Sequence, residues 1–188
     1  MPGVRAPIAE GGPERNRVGD HGLIVRGGPG LALEASARVA GDGIAVAVTV
    51  ENRGAGHHLP TGSPDRRLVV RVGVVDSAGR EMGRAETAFG RVLVDSAGRV
   101  TPHWSAAVSD GEDSRIPAGG HVRRELRLQG APPAGTLRVE LLRRALDPAI
   151  AAALGVEPPK DQVLLTAELP YRAAHRARDL SRRVRGTP

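Results

Sequence analysis

The chain has 188 residues, an apolar share of 40% and a formal net charge of +6, enough to bury the core of one domain. With one Trp, one Tyr and one Phe, that core must be aliphatic, and aromatic platforms for stacking nucleic-acid bases are excluded. With no cysteine, it forms no disulfide, no thiolate metal site and no covalent c-type haem linkage. The excess charge is mostly terminal: residues 171–188 carry Arg172, Arg176, Arg178, Arg182, Arg183 and Arg185 against Asp179, so 6 − 1 = +5. Such a tail reads first as a solvated charge run and second as a weak contact for an anionic surface. No apolar run reaches the length of a membrane span. Met1 to Arg5 opens without an apolar signal region, so none is expected within this chain.

Residues 1–30 are dense in glycine and include Pro2, Pro7, Pro13 and Pro29. That composition propagates neither a helix nor an interior strand, and an extended arm is predicted. From Leu31 the pattern changes. Leu31, Leu33, Ala35, Ala37 and Val39 alternate with Glu34, Ser36 and Arg38; after Gly41-Asp42-Gly43 the alternation resumes at Ile44, Val46, Val48 and Val50. Two period-two runs about a glycine turn predict a hairpin. A strand is predicted over 68–75. Residues 81–94 hold one long strand, or two with a break near Gly90. Asp-Ser-Ala-Gly-Arg stands at both 76–80 and 95–99, with Asp to open a turn and Gly to take its left-handed position.

Over 101–113 no period survives, so a long connection is predicted, with Trp104 capping an edge of the core. Strands follow at 122–128 and 136–142, divided by Pro132-Pro133. Asp147-Pro148, a run of alanines and Gly155 predict one two-turn helix with its N-cap, first-turn proline and terminal glycine in place. A last strand is predicted over 162–169, and residues 173–184 read as a charged tail with helical character. The sum is an all-β chain: an immunoglobulin-like β-sandwich of about seven to nine antiparallel strands with one short helix. An up-and-down barrel is the alternative. The organisation expected is an arm at 1–30, a sandwich at 31–172 and a basic tail at 173–188.

Chemistry concentrates between two of these strands, at residues 51–67. On extended backbone His57 and His58 point to opposite sides, so at most one of them does chemistry. Imidazole is the commonest ligand for transition metals and haem iron, which makes His57 the candidate metal or haem ligand; the alternative is an imidazole bonded to loop backbone. Pro60, Thr61 and Gly62 read as a turn that the Thr61 hydroxyl ties to itself. Asp65-Arg66-Arg67 is either an anion site or a clamp from Asp65 to the arginines. Asp110, Glu112 and Asp113 lack the spacing of a calcium loop. No Walker loop, dinucleotide fingerprint, nucleophile elbow or zinc-protease motif is present, and catalysis by this chain is not expected.

These residues carry a resemblance. Asn52-Arg53-Gly54-Ala55-Gly56-His57-His58-Leu59-Pro60-Thr61-Gly62, then Pro64-Asp65-Arg66-Arg67-Leu68 and Asp76-Ser77-Ala78-Gly79-Arg80, resemble a β-rich module. That module belongs to bacterial multihaem c-type cytochromes of the hydroxylamine-oxidoreductase and cytochrome c554 kind. Asp113-Ser114-Arg115-Ile116-Pro117, the short helix and the closing strand agree with it, and the resemblance spans roughly residues 20–172. In that family Met1-Pro2 and Asp20-His21 stand where a dipeptide after the last haem site and a distal haem ligand fall. The resemblance therefore implies His21 as the leading haem ligand, an extracytoplasmic setting, and a haem-bearing cytochrome domain or subunit as partner.

This sequence departs from the family in having no Cys-x-x-Cys-His. The haem c must then belong to a partner or to a missing N-terminal part. The expectation is a non-catalytic accessory module of a multihaem electron-transfer protein. Two alternatives remain: a free-standing binding module holding a metal ion or small ligand at the His57 loop, and a surface-binding protein using its arginine tail.

Overall fold

The structure is a computed structural model that describes residues 4–7, 14–18, 30–40, 43–76, 78–101, 104–132, 134–172 and 180–185. It is an all-β sandwich of two four-stranded antiparallel sheets. One sheet orders β11 (Gln162–Arg172), β10 (Ala134–Arg144), β5 (Arg67–Val75) and β6 (Glu81–Phe89); the other orders β12 (Leu180–Arg185), β3 (Leu31–Ala40), β4 (Gly43–Asn52) and β9 (His121–Gln129). Two short ribbons stand beside them: β1 (Val4–Pro7) with β2 (Glu14–Val18), and β7 (Arg91–Asp95) with β8 (Ala107–Asp113). The helix α1 (Pro148–Leu154) lies between β10 and β11 in the chain.

Period two builds the core. Leu33, Ala35 and Ala37 of β3, Val46, Val48 and Val50 of β4, Leu68, Val70, Val72 and Val74 of β5, and Leu137, Val139 and Leu141 of β10 are all buried in one cluster. Side chains one residue out of step face the other way, as a pleated strand requires. At a yield of roughly 25 cal/mol per Å² of apolar surface removed from water, this aliphatic filling supplies most of the drive to fold. Some out-of-step positions are buried as well, Ala32 of β3 and Ala45 of β4 among them. Val69 and Leu142 are cross-strand partners on the outer face, yet both are fully buried, as is Ala151 of α1.

Farther along that outer face the sheet carries ions. Arg71 reaches Glu86 at 2.6 Å and Asp161 at 3.1 Å, and Arg144 reaches the same two carboxylates at 3.1 and 2.7 Å. Hydrogen bonds from Arg144, then its charge and that of Arg71, outweigh burial and hold Asp161 below the usual carboxylate range. Burial pushes Glu86 up, but hydrogen bonds from Arg71 and Arg144 more than offset it, leaving that group lowered too.

Three local readings change. Residues 107–113 are a strand and not part of a long connection: β8 pairs β7 out of the register of a regular hairpin. Trp104 caps nothing; it sits in a 3-10 turn with 75% of its surface exposed. The described part of the tail, 180–185, is extended where helical character was predicted, with Leu180 opposite Ala37 and Arg185 opposite Ala32 of β3. An open sheet edge offers a ladder bond to every second residue, and pairing there outweighs a modest helix propensity. The break near Gly90 falls where the sequence put it, between β6 and β7.

Candidate functional site

β4 ends, and β5 and β9 begin, at the same end of the sandwich, and β10 and β6 finish there. The 53–66 loop, the 114–120 turn and the start of α1 therefore cluster. The described domain also begins there: the Gly30 carbonyl accepts from the Arg53 and Gly54 amides at 2.7 and 3.2 Å. A Cβ on Gly54 would stand 2.6 Å from the Gly30 Cα, so only glycine permits that approach.

The loop is held from beneath by Asn52. Continuing the inward register of Val46, Val48 and Val50 by one step, Asn52 points into the core end and is the one fully buried polar side chain among the described residues. Its amide donates to the His57 carbonyl at 2.8 Å and its Oδ1 accepts from the Ala55 amide at 3.0 Å. Its own backbone N–H donates to the Gly120 carbonyl at 2.9 Å. A buried Asn is tolerable only when so satisfied. Across from it Leu59 and Ile116 exchange backbone hydrogen bonds at 2.9 and 2.7 Å, and the Ile116 side chain is fully buried.

Asn52 and the Leu59–Ile116 bridge thus fix both sides of the two histidines. His57 is half-buried, and its Nδ1 lies 3.1 Å from the His58 carbonyl. A carbonyl only accepts, so Nδ1 carries the proton and Nε2 keeps its lone pair in the neutral ring. His58 is exposed. The Arg115 guanidinium, donating at 2.8 and 2.6 Å, is the main reason the Asp113 carboxyl is lowered to about 2. Among the described residues no three His, Asp or Glu come together in a way that could hold a metal ion. His57 is therefore part of no such group among the described residues. His21, the other candidate haem ligand, lies outside the described residues.

Pro60, Thr61 and Gly62 act through backbone. The Leu59–Pro60 peptide is cis, and Thr61 contributes its carbonyl rather than its hydroxyl, accepting from Arg66 at 3.4 Å. Gly62 has φ 87°, and a Cβ there would meet the Arg66 guanidinium at 2.8 Å. The clamp differs from the one predicted. Asp65 accepts from the Ser63 hydroxyl at 2.7 Å, while Arg67 donates to the Pro64 carbonyl and pairs with Asp147 at 3.4 Å. Asp147 also caps α1, accepting from the Ala149 amide at 2.9 Å, and its own amide donates to the Asp65 carbonyl at 3.1 Å. Replacing Asp147 by Ala should cost about 1.5 kcal/mol in urea unfolding, and by Asn about half that, since Asn keeps the cap and loses the ion pair. Equal losses in the two variants would show that the cap contributes nothing, and an Asn variant as stable as wild type that the Arg67 pair contributes nothing.

With this geometry in place, one comparison is informative. The fold superimposes on a penta-haem cytochrome c552 from Thermochromatium tepidum with a TM-score of 0.65 and 20% identity, over 88% of this chain. The chain shares its fold with a haem protein. It spans 45% of the length of that cytochrome. No protein-family model and no curated protein sequence matches the chain. Among the described residues no helix is long and apolar enough to cross a membrane.

Asn52, Ile116 and Asp147 are the residues of this end that residue-by-residue motif reading passed over as site components. For Asn52 a signal existed: the inward alternation of β4 extends to it. For Ile116 and Asp147 none did, because their partners Leu59 and Arg67 are far away in the chain.

Proposed function

We propose that the chain is a non-catalytic accessory module of a multihaem c-type cytochrome system, presenting one imidazole to haem carried by a partner or by an adjoining domain. The observation that supports this best is the shared fold, which takes in nearly all of this chain and less than half of the penta-haem cytochrome. In such an arrangement the haem supplies the electron transfer. This chain binds and orients: Asn52 sets the loop, the His58 carbonyl fixes the His57 tautomer, and His57 Nε2 is the atom offered. A hydrogen bond on the far nitrogen is what orients ligating histidines generally. An extracytoplasmic location belongs to the same proposal.

The test uses a c-type haem peptide with one open axial position as probe. Addition of the full chain should convert its absorption spectrum to the low-spin, two-nitrogen form. His57→Ala should weaken that conversion at least tenfold, since losing even a partner that orients a metal ligand costs about 10–100-fold; His21→Ala is the parallel variant. Titration curves identical to wild type in both variants would remove the histidines from the reading.

A further inference from the structure

We propose that Arg143 is a binding site for a carboxylate, received by its guanidinium where β10 finishes. Leu137, Val139 and Leu141 of β10 point into the core, and Arg143 is the next position in that inward register. Its partner on β5 is Leu68, a buried core residue. On its other side the pairing with β11 is irregular. Leu141 faces Leu165, but Leu142 faces Val163 and Arg143 faces Gln162, which leaves Leu164 as an extra residue. Such a bulge changes which side chains share a face. Val163 is turned out, 52% exposed, and Gln162 comes to stand beside Arg143.

The bulge gives this arginine an amide where its charge calls for an anion. Arg143 Nη1 donates to Gln162 Oε1 at a long 3.4 Å, and no carboxylate among the described residues pairs with it. Its Nε is the one buried side-chain nitrogen or oxygen among the described residues without a hydrogen-bond partner. Nε and Nη2 together form the side-on edge of a guanidinium, the fork that the two oxygens of a carboxylate match. An arginine keeps its charge inside a protein, and Arg143 is half-buried. A water molecule would satisfy Nε and leave that charge uncompensated. A glutamate at position 162 would close an internal ion pair; the glutamine leaves the fork to an acceptor from outside the chain. The adjacent cations are already taken, Arg144 by Asp161 and Glu86 and Arg67 by Asp147. What remains at Arg143 is a single positive charge, which balances a monoanion and not a phosphate dianion. Either a small free carboxylic acid or a propionate of haem presents that group, so the site does not depend on the haem-partner reading.

Heteronuclear NMR of the full chain reads arginine Nε–H groups directly. Sodium propionate, exchanged against chloride at constant ionic strength, should shift one Nε–H signal saturably, and Arg143→Gln should delete that signal. Propionate should also raise the thermal stability of the wild type, as any ligand of the folded state does, and leave Arg143→Gln unmoved. Gln162→Glu keeps the arginine and supplies an internal carboxylate, so it should weaken propionate binding about tenfold or more, the factor carried by one charge-assisted hydrogen bond. The c-type haem peptide and its propionate diester then separate the sources. A diester bound about tenfold more weakly by wild type, and equally with the free acid by Arg143→Gln, assigns the carboxylate to haem; a diester bound as tightly as the free acid assigns it to a small acid. A haem peptide that does not bind at all would count against the function proposed above and leave the propionate titration to decide the site. No saturable shift of the Arg143 signal, sulfate binding as tightly as propionate, or full propionate affinity in Gln162→Glu would each overturn the proposal.

Discussion

Replacing Asn52 by Leu should destabilise the protein by about 3 kcal/mol, even though Leu is close in size and the site is fully buried. The reason is asymmetry. Leu fills the space but leaves the His57 carbonyl and the Ala55 amide without their partners, and each part-buried polar group so orphaned costs on the order of 1–3 kcal/mol. Loop relaxation toward water recovers part of that. The recovery has a functional signature, because it releases His57 from its position above the strand end. Hydrogen exchange at the Ala55 amide should accelerate far more than at β10 amides, and the low-spin conversion of the haem peptide should weaken along with it. Asn52→Asp separates the two contacts: it retains an acceptor for Ala55 and loses the donor to His57. A Leu variant within about 1 kcal/mol of wild type, its Ala55 amide still protected, would mean the loop is held by other contacts.

How far the sequence discloses this molecule depends on the range of the interaction. Alternation is local, so the inward faces of β3, β4, β5 and β10 were legible residue by residue; so was the α1 cap, since Asp147, Pro148 and Gly155 act within two turns. The same local reading failed on β8. Ala-Val-Ser-Asp-Gly-Glu-Asp is poor in β-formers, and its pairing with β7 is broken by two register shifts that no period shows. Trp104 illustrates a different failure. Burial is the usual fate of a lone tryptophan in an aliphatic chain, and its exposure reflects where the ribbon goes, not what the residue prefers. In the loop, Asp65 beside two arginines suggested a local clamp. The pair that forms joins Arg67 to Asp147, across 80 residues, because β5 and β10 lie side by side in the sheet. His57 was visible as a candidate; the Asn52 anchor was visible only by extending the strand one residue past its last valine.

The largest electrostatic effect should come from the outer face of the β5–β10 sheet. Arg144→Met should cost about 2 kcal/mol at pH 7. It removes the donor that reaches both Glu86 and Asp161 and leaves two carboxylates, each mostly shielded from water, with Arg71 alone. That magnitude lies between the roughly 0–1 kcal/mol of an exposed pair and the 3–5 kcal/mol of a broken buried one. The pH dependence gives the sharper test. Glu86 and Asp161 titrate lower in the folded protein than in the unfolded chain, so the unfolded state binds their protons first. Their stabilisation is complete above the unfolded carboxylate range and drains away as pH falls through the folded values. In Arg144→Met the principal cause of the Asp161 depression is gone, so the variant has less to lose on acidification. Wild type and variant should therefore converge between about pH 5 and pH 2, with the urea-derived difference largest at neutral pH. A gap that stays constant or widens on acidification would show that Arg144 stabilises the sheet by packing its stem over neighbouring residues rather than through these carboxylates.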